Sequence, residues 1–171
     1  MNALEFVIDE VRYAVPLARV VEVLPRVALT PLPGAPSVVA GVFNHRGSPT
    51  VAVDLRARLG HPARAPSLDD HLLVARAQRR PVDLVVDRVQ GLHTFDTDAV
   101  TPAVVASPHV AGVVVDAGGV LVIEDLDAVL SLDEDRAIDR GLEDLARACG
   151  PSRPHFVTSL ARRPARASGW S

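Results

Sequence analysis

Short runs of alternating apolar and polar residues follow one another along most of the chain. Leu4–Asp9 and Arg12–Pro16 meet at a polar turn and predict a hairpin. Leu17–Leu24 predicts a turn that runs into a strand, because its valines are β-branched. Further strands are predicted at Val38–Phe43, Ser48–Val53, Leu72–Ala77, Val82–Val86, Val89–Thr94, Val110–Val115 and Val120–Glu124. Many short strands separated by Gly and Pro turns indicate a mainly β fold, either a small barrel or a sandwich.

The same pattern predicts few helices, and most of them are short. Asp54 is predicted to cap one short helix and Asp125 to start another, because a carboxylate accepts the free N–H groups of a first turn. Thr97–Val100 predicts a single helical turn. The longest stretch without turn signals is Asp133–Cys149, which predicts a C-terminal helix with one apolar stripe. The stripe consists of Ile138, Leu142 and Leu145.

The chain also contains a copy of itself at an offset of 71 residues. Val39–Leu59 aligns with Val110–Leu130 without a gap, and 10 of the 21 positions are identical. Thr30-Pro31 aligns with Thr101-Pro102 at the same offset. A single repeat of this kind predicts two small, similarly folded halves that share a hydrophobic seam, since about 70 residues are barely enough for an independent core.

Composition changes along the chain suggest how it is divided. One domain is predicted over residues 1–132, with the boundary between its halves in the Pro-containing loop near 60–70. A C-terminal helix is predicted over 133–149. Residues 150–171 contain arginines and prolines but no acids, and they predict a basic, disordered tail.

The net charge and the cysteine content limit which partners and which cellular compartment we expect. The net charge is −3, which gives no overall attraction to nucleic acid or to acidic lipid. A single cysteine cannot form a disulfide within the chain and fits a reducing compartment. The first ten residues carry acids where a signal peptide needs basic residues, and apolar runs are too short to span a membrane. We therefore expect a cytoplasmic protein without membrane insertion.

Motifs for catalysis, metal binding or phosphate binding are absent from the sequence. The histidines are scattered, without the spacing of a zinc site. Asp69-Asp70-His71 could form a metal or acid–base site, but the end of a loop running into a strand explains it better. Asp96-Thr97-Asp98 is interpreted as a helix cap, and Gly118-Gly119 as a hairpin turn that needs positive φ. We expect no cofactor, no metal and no enzymatic activity.

The two copies differ most at one turn. The first has Asn44-His45-Arg46-Gly47, and the second has Val115-Asp116-Ala117-Gly118. An arginine at a hairpin tip can offer a planar set of donors to a partner's carboxylate. It can equally pair with a local acid, and the residues alone leave both interpretations open.

Three segments of the chain resemble the CheW-like domain family. GVFNHRGSPTVAVDLRARLG is similar to the segment written G-V-x-N-x-R-G-x-x-x-P-V-x-D-L in that family. PVDLVVDRVQGLHTF is similar to its second-half strand pair, and VAGVVVDAGGVLVIEDLDAVL to its closing hairpin and short helix. The resemblance covers roughly Leu4 to Leu132. It implies two similar five-stranded SH3-like barrels packed together.

The resemblance also implies a function. CheW-like proteins are adaptors that bridge the cytoplasmic tips of chemoreceptors and the regulatory domain of a CheA-type histidine kinase, at the periphery of membrane receptor arrays. The chain departs from the family pattern at Ala52 and in its longer basic tail. The tail leaves open a paralogue that serves an array outside motility. The positions implied in partner binding are Glu22, Gly41, Val42, Asn44, His45, Arg46, Gly47 and Gly112.

Two other classes of function compete with the adaptor. A small nucleic-acid-binding barrel could use the arginine-rich tail as an electrostatic arm, although the net charge and the lack of an aromatic stacking platform argue against it. An enzyme would have to use Asp69, Asp70 and His71, around which no other catalytic group is predicted.

Overall fold

The computed structural model describes residues 1–102 and 108–148 of the chain. Cys149 and the predicted tail at 150–171 lie outside these residues. The described part contains strands β1 (Asn2–Ile8), β2 (Val11–Pro16), β3 (Val20–Pro25), β4 (Val39–His45), β5 (Ser48–Asp54), β6 (His71–Arg76), β7 (Pro81–Val86), β8 (Arg88–Thr94), β9 (Val110–Asp116) and β10 (Gly119–Glu124). Helices α1 (Leu55–Arg58) and α2 (Leu132–Ala148) and the 3₁₀ turns Leu17–Arg19 and Thr97–Ala99 complete it.

The local predictions agree with these elements except at one helix. Asp54 caps α1 as predicted, because its Oδ1 accepts the N–H of Ala57 at 3.2 Å. The helix predicted to start at Asp125 is instead a turn, in which Ala128 N–H donates to the Asp125 carbonyl at 3.1 Å. The carbonyl oxygen of Ala128 accepts a hydrogen bond from the His109 side chain, through Nδ1 at 2.6 Å. In a continuing helix, this oxygen would accept a backbone N–H instead.

The strands form two five-stranded sheets, in agreement with the predicted mainly β fold. Sheet A has the order β8-β1-β2-β10-β9, and sheet B has the order β3-β6-β7-β5-β4. Neighbouring strands are antiparallel except that β10 lies parallel to β2 and β5 lies parallel to β7. Each sheet therefore contains one parallel pair, at the same place in its strand order.

The strand pairing corrects the predicted boundary near 60–70. That loop connects α1 to β6 within sheet B, whereas β1 and β2 pair with β8 and β10 far along the chain. Sheet A is thus built from both ends of the folded region, and sheet B lies between them in sequence. The two sheets are similar, but they are not consecutive halves.

The sequence repeat reappears as a repeat in three dimensions. Thr30 bridges Val42 in the first copy, and Thr101 bridges Val113 in the second, each pair shifted by 71 residues. A glycine precedes each bridged valine because the Thr-Pro segment passes close by. A Cβ atom on Gly41 would lie 2.6 Å from the carbonyl oxygen of Thr30. No side chain fits at that distance, so the glycine is required by the fold.

The central strands are buried on both faces, which explains their continuous apolar runs. One face of each sheet contributes to a core shared between the two sheets and α2, and the other face lines a smaller core of its own sheet. In β6, Leu73 belongs to the shared core and Leu72 to the core of sheet B. Ile138 and Leu142 of α2 also enter the shared core. This shared core is the predicted hydrophobic seam.

A buried arginine anchors the region between the sheets. The Arg56 guanidinium lies 2.7 Å from Asp9 Oδ1, in the β1–β2 turn, and 2.5 Å from Asp87 Oδ2, between β7 and β8. It also donates to the carbonyl of Pro62 at 2.8 Å. Its side chain is only 8% exposed. One side chain of α1 therefore joins both sheets and the loop near 60–70.

Candidate functional site

The predicted polar turn joins β4 to β5 through two residues. His45 pairs with Ser48, and Arg46 and Gly47 between them have φ values of 53° and 88°. Positive φ at both central residues is the geometry of the tight hairpin turns that suit the strand twist. Asn44 stabilises the turn because its Oδ1 accepts the N–H of Gly47 at 2.8 Å.

Glu22 of β3 lies against this turn. Its Oε2 is 2.8 Å from Arg46 Nη2 and 3.0 Å from His45 Nε2, and its Oε1 is 3.0 Å from the same arginine nitrogen. The hydrogen bond from His45, together with the charge of Arg46, holds the pKa of Glu22 below its usual value although the carboxylate is partly buried. Glu22 is therefore an anion at neutral pH, and it orients both side chains.

The structure thus brings together Glu22, His45 and Arg46. The family resemblance implied each of these residues in partner binding, but it did not imply that they contact one another. Arg46 pairs with a local acid, one of the two interpretations that the sequence left open. Its side chain is still 74% exposed, because the turn projects into solvent. The guanidinium keeps donors that are accessible from outside, so the pairing leaves a partner contact available.

Three other predicted site residues are not at this surface. Gly41 and Val42 are buried in β4, and Gly112 is buried in β9 of the other sheet. A Cβ atom on Gly112 would lie 2.5 Å from Cγ1 of Val100, as close an approach as the one at Gly41. These residues shape the strands beneath the Thr-Pro segments and do not face solvent, in contrast to their predicted place in a partner-binding surface.

The acidic and glycine motifs considered in the sequence analysis have structural roles. Asp70 is buried and pairs with Arg64 and, at 3.1 Å, with Arg26. Asp96 Oδ1 accepts the N–H of Asp98 at 3.1 Å, which is the predicted cap. Of Gly118-Gly119, only Gly119 has positive φ, at 106°. Within residues 1–102 and 108–148, no three His, Cys, Asp or Glu side chains are grouped so that they could hold a metal ion.

Sheet A carries a charged cluster that sequence reasoning missed. Arg12 of β2 lies 2.7 Å from Glu5 Oε1 and 2.7 Å from Asp116 Oδ1. His93 of β8 lies 3.2 Å from Glu5 Oε2 and 3.1 Å from Asp116 Oδ2. The hydrogen bond from Arg12 lowers the pKa of Asp116 to about 2. The repeat offset was the available signal, since it places His93 on Glu22 and Asp116 on His45.

Sheet A also exposes apolar side chains near this cluster. Val115 is 76% exposed and pairs in register with Val120, which is 53% exposed. Leu92 on the edge strand β8 is 70% exposed. At the positions equivalent to Val115 and Val120, the first copy of the repeat has Asn44 and Pro49. The corresponding hairpins of the two sheets therefore expose different side chains, the charged Arg46 in sheet B and the apolar Val115 and Val120 in sheet A.

A family comparison decides what kind of domain this is. The model of the CheW-like domain matches residues 2–134. The chain belongs to the CheW-like domain family. It is 30% identical over 141 residues to the chemotaxis protein CheW of Rhizobium meliloti (strain 1021), an alignment that covers 77% of this chain and 88% of that protein. It is 32% identical over 113 residues to protein FrzA of Myxococcus xanthus, covering 64% of this chain and 71% of FrzA.

The fold of this CheW-like chain is also similar to a solved structure. The scaffolding protein TtCheW from Thermoanaerobacter tengcongensis superposes with a TM-score of 0.72 at 23% identity, covering 78% of this chain and 94% of that one. This likeness supports the mainly β architecture with its two five-stranded sheets. Among the residues that the structure describes, no helix has the length and apolar character needed to cross a membrane.

Proposed function

We propose that this CheW-like chain is a non-catalytic adaptor that couples the cytoplasmic tip of a chemoreceptor to the regulatory domain of a CheA-type histidine kinase. It would act in the cytoplasm, at the periphery of membrane-bound receptor arrays. The relatives named chemotaxis protein CheW and scaffolding protein TtCheW support this proposal. Because the chain departs from the family pattern at its longer basic tail, the proposal includes a paralogue that serves an array outside motility.

One observation carries the proposal, namely the different chemistry of two equivalent surfaces. An adaptor with two unlike partners needs two unlike surfaces on one rigid body. In sheet B the hairpin carries the exposed Arg46, where sheet A has Ala117, and in sheet A the hairpin carries the exposed Val115 and Val120, where sheet B has Asn44 and Pro49. A charged turn gives specificity through directed hydrogen bonds. A small apolar patch suits contacts of modest affinity that act together in an array.

The test compares one variant at each surface. Arg46→Ala removes the exposed guanidinium, and Val115→Asn inserts the residue that the first copy has at the equivalent position. Binding is measured by calorimetry with a purified receptor tip fragment and with a kinase regulatory domain from the same organism. We expect each variant to weaken binding of a different partner by about tenfold, which corresponds to about 1.4 kcal/mol.

Two matched control variants make the same kinds of substitution outside the two proposed binding surfaces. Arg136→Ala removes an arginine that is also 74% exposed and also paired with an acid, but on α2. Leu132→Asn makes an apolar-to-amide change at a residue that is 61% exposed. Both controls should bind both partners normally. Unchanged binding of both partners by Arg46→Ala and Val115→Asn would overturn the proposed function.

A further inference from the structure

A histidine and a carboxylate connect the two outermost strands of sheet B. Glu22 lies on β3, the first strand in the sheet order, and His45 lies on β4, the last. Their side chains meet at 3.0 Å, between Glu22 Oε2 and His45 Nε2. Outer strands of a five-stranded sheet can touch only if the sheet curls strongly, because neighbouring strands are about 4.8 Å apart. The pair therefore marks the point where the sheet closes on itself.

Sheet A closes at the same point with the two partners exchanged. His93 lies on its first strand, β8, and Asp116 lies on its last strand, β9. His93 Nε2 is 3.1 Å from Asp116 Oδ2. The repeat offset of 71 residues maps Glu22 onto His93 and His45 onto Asp116. In both sheets one outer strand supplies the imidazole and the other the carboxylate, but the strands have traded roles.

We infer that a histidine–carboxylate clasp, with its partners exchanged between the copies, holds each curled sheet closed beside its hairpin turn, and that in sheet B the clasp also positions Arg46. The second part rests on the proposed function. Just beyond β3 and β8, backbone hydrogen bonds already join the chain to the last strand of each sheet, at Thr30–Val42 and Thr101–Val113. None of the strand ladders in the described part of the chain joins β3 itself to β4 or β8 itself to β9. Side chains therefore make the connection at this point, and an imidazole N–H can donate to a carboxylate whether or not the ring is charged.

The two clasps differ in how much else supports them. In sheet A, Arg12 of β2 and Glu5 of β1 also contact the pair, so Asp116 keeps a strong partner if His93 is lost. In sheet B the further charged partner is Arg46, which is itself largely exposed. Loss of His45 should therefore open sheet B more than loss of His93 opens sheet A.

The exchange between copies suggests the decisive experiment. Glu22→His alone places two histidines together, and His45→Glu alone places two carboxylates together. The double variant restores a histidine and a carboxylate in the order that sheet A uses. We expect each single variant to speed backbone hydrogen exchange of β3 amides about tenfold, and the double variant to return to within about threefold of the natural chain.

A second pair of variants tests the positioning of Arg46. His45→Ala removes the clasp and leaves Arg46 and Glu22 in place, whereas His45→Gln keeps an N–H donor. We expect His45→Ala to weaken binding of the same partner as Arg46→Ala, and His45→Gln to recover most of that affinity.

The control for the hydrogen-exchange measurements is a helix-surface swap, Asp133→Arg with Arg136→Asp. It should leave exchange in both sheets unchanged, because that pair is exposed on α2.

The outcomes separate the clasp from the proposed function. A double variant whose exchange is no slower than that of either single variant would overturn the clasp. Recovered exchange in the double variant, with partner affinity unaffected by His45→Ala, would overturn only the positioning of Arg46. Normal binding of both partners by Arg46→Ala would overturn the proposed function, and the exchange measurements would still stand because they use no partner.

Discussion

Two carboxyl side chains are buried without a hydrogen-bond partner among the described residues. Asp83 on β7 is 0% exposed and Glu124 on β10 is 1% exposed. Burial raises the pKa of Asp83 to about 7, and burial with the nearby charge of Asp125 raises that of Glu124 to about 8. Burial disfavours a carboxylate because the anion loses its hydration, so both groups favour the protonated form in the folded protein.

These two groups predict a protein that is more stable in mild acid. A carboxyl whose pKa is raised by folding contributes its full stability below the ordinary pKa near 4 and loses it as the pH rises through 7 to 8. The free energy of urea unfolding should therefore fall by a few kcal/mol from pH 5 to pH 8, at about 1.4 kcal/mol per pKa unit. Asp83→Asn with Glu124→Gln should flatten this slope. A slope that survives in the double variant would contradict the assignment.

At the scale of elements, the ion pairs of Arg56 hold α1, the β1–β2 turn and the β7–β8 junction together. Arg56→Met keeps much of the apolar stem but removes the guanidinium that links Asp9 to Asp87. We expect a loss of about 2 kcal/mol in the free energy of unfolding, because the charge-assisted hydrogen bonds of Arg56 are lost while Asp87 keeps Arg64 and Asp9 keeps His61. Chemical denaturation measures it. Arg147→Met, at an exposed pair within α2, should change stability by less than about 0.5 kcal/mol.

Most elements were predictable from the sequence, but their neighbours were not. Alternation shows which residues of a strand face the core, and capping chemistry located α1 through Asp54. Neither signal says which strand lies alongside, so the pairing of β2 with β10 was missed. The same limit applies to the site. The motif identified Glu22 and Arg46, but their contact depends on the curl of a whole sheet, which no local pattern encodes.

At the scale of the whole molecule, α2 acts as a third layer over the sheets. Ile138 is fully buried in the shared core, and Asp135 pairs with Arg79 and Arg80 of the β6–β7 turn. Gly141 allows close contact with the β3–β4 connection, because a Cβ atom there would lie 2.7 Å from the Pro33 carbonyl oxygen. The helix is therefore part of the fold and continues beyond the end of the family match at residue 134.

Truncation in α2 should consequently lower the stability of both sheets at once. Ile138→Ala removes methyl groups from the shared core, and we expect a cost of about 2–4 kcal/mol in one cooperative thermal transition. Leu132→Ala, at an exposed position of the same helix, should cost little. Two separate transitions in the Ile138→Ala variant would show that the sheets unfold independently, contrary to the shared core.

The split origin of sheet A has a consequence for biosynthesis. As the chain leaves the ribosome, β1 and β2 emerge before sheet B, but their partners β8 and β10 are made only after all of sheet B. Until those partners are made, the leading hairpin exposes apolar side chains such as Phe6 and Val15, which are buried in the finished protein. During translation, that hairpin therefore presents apolar surface to which a chaperone can bind.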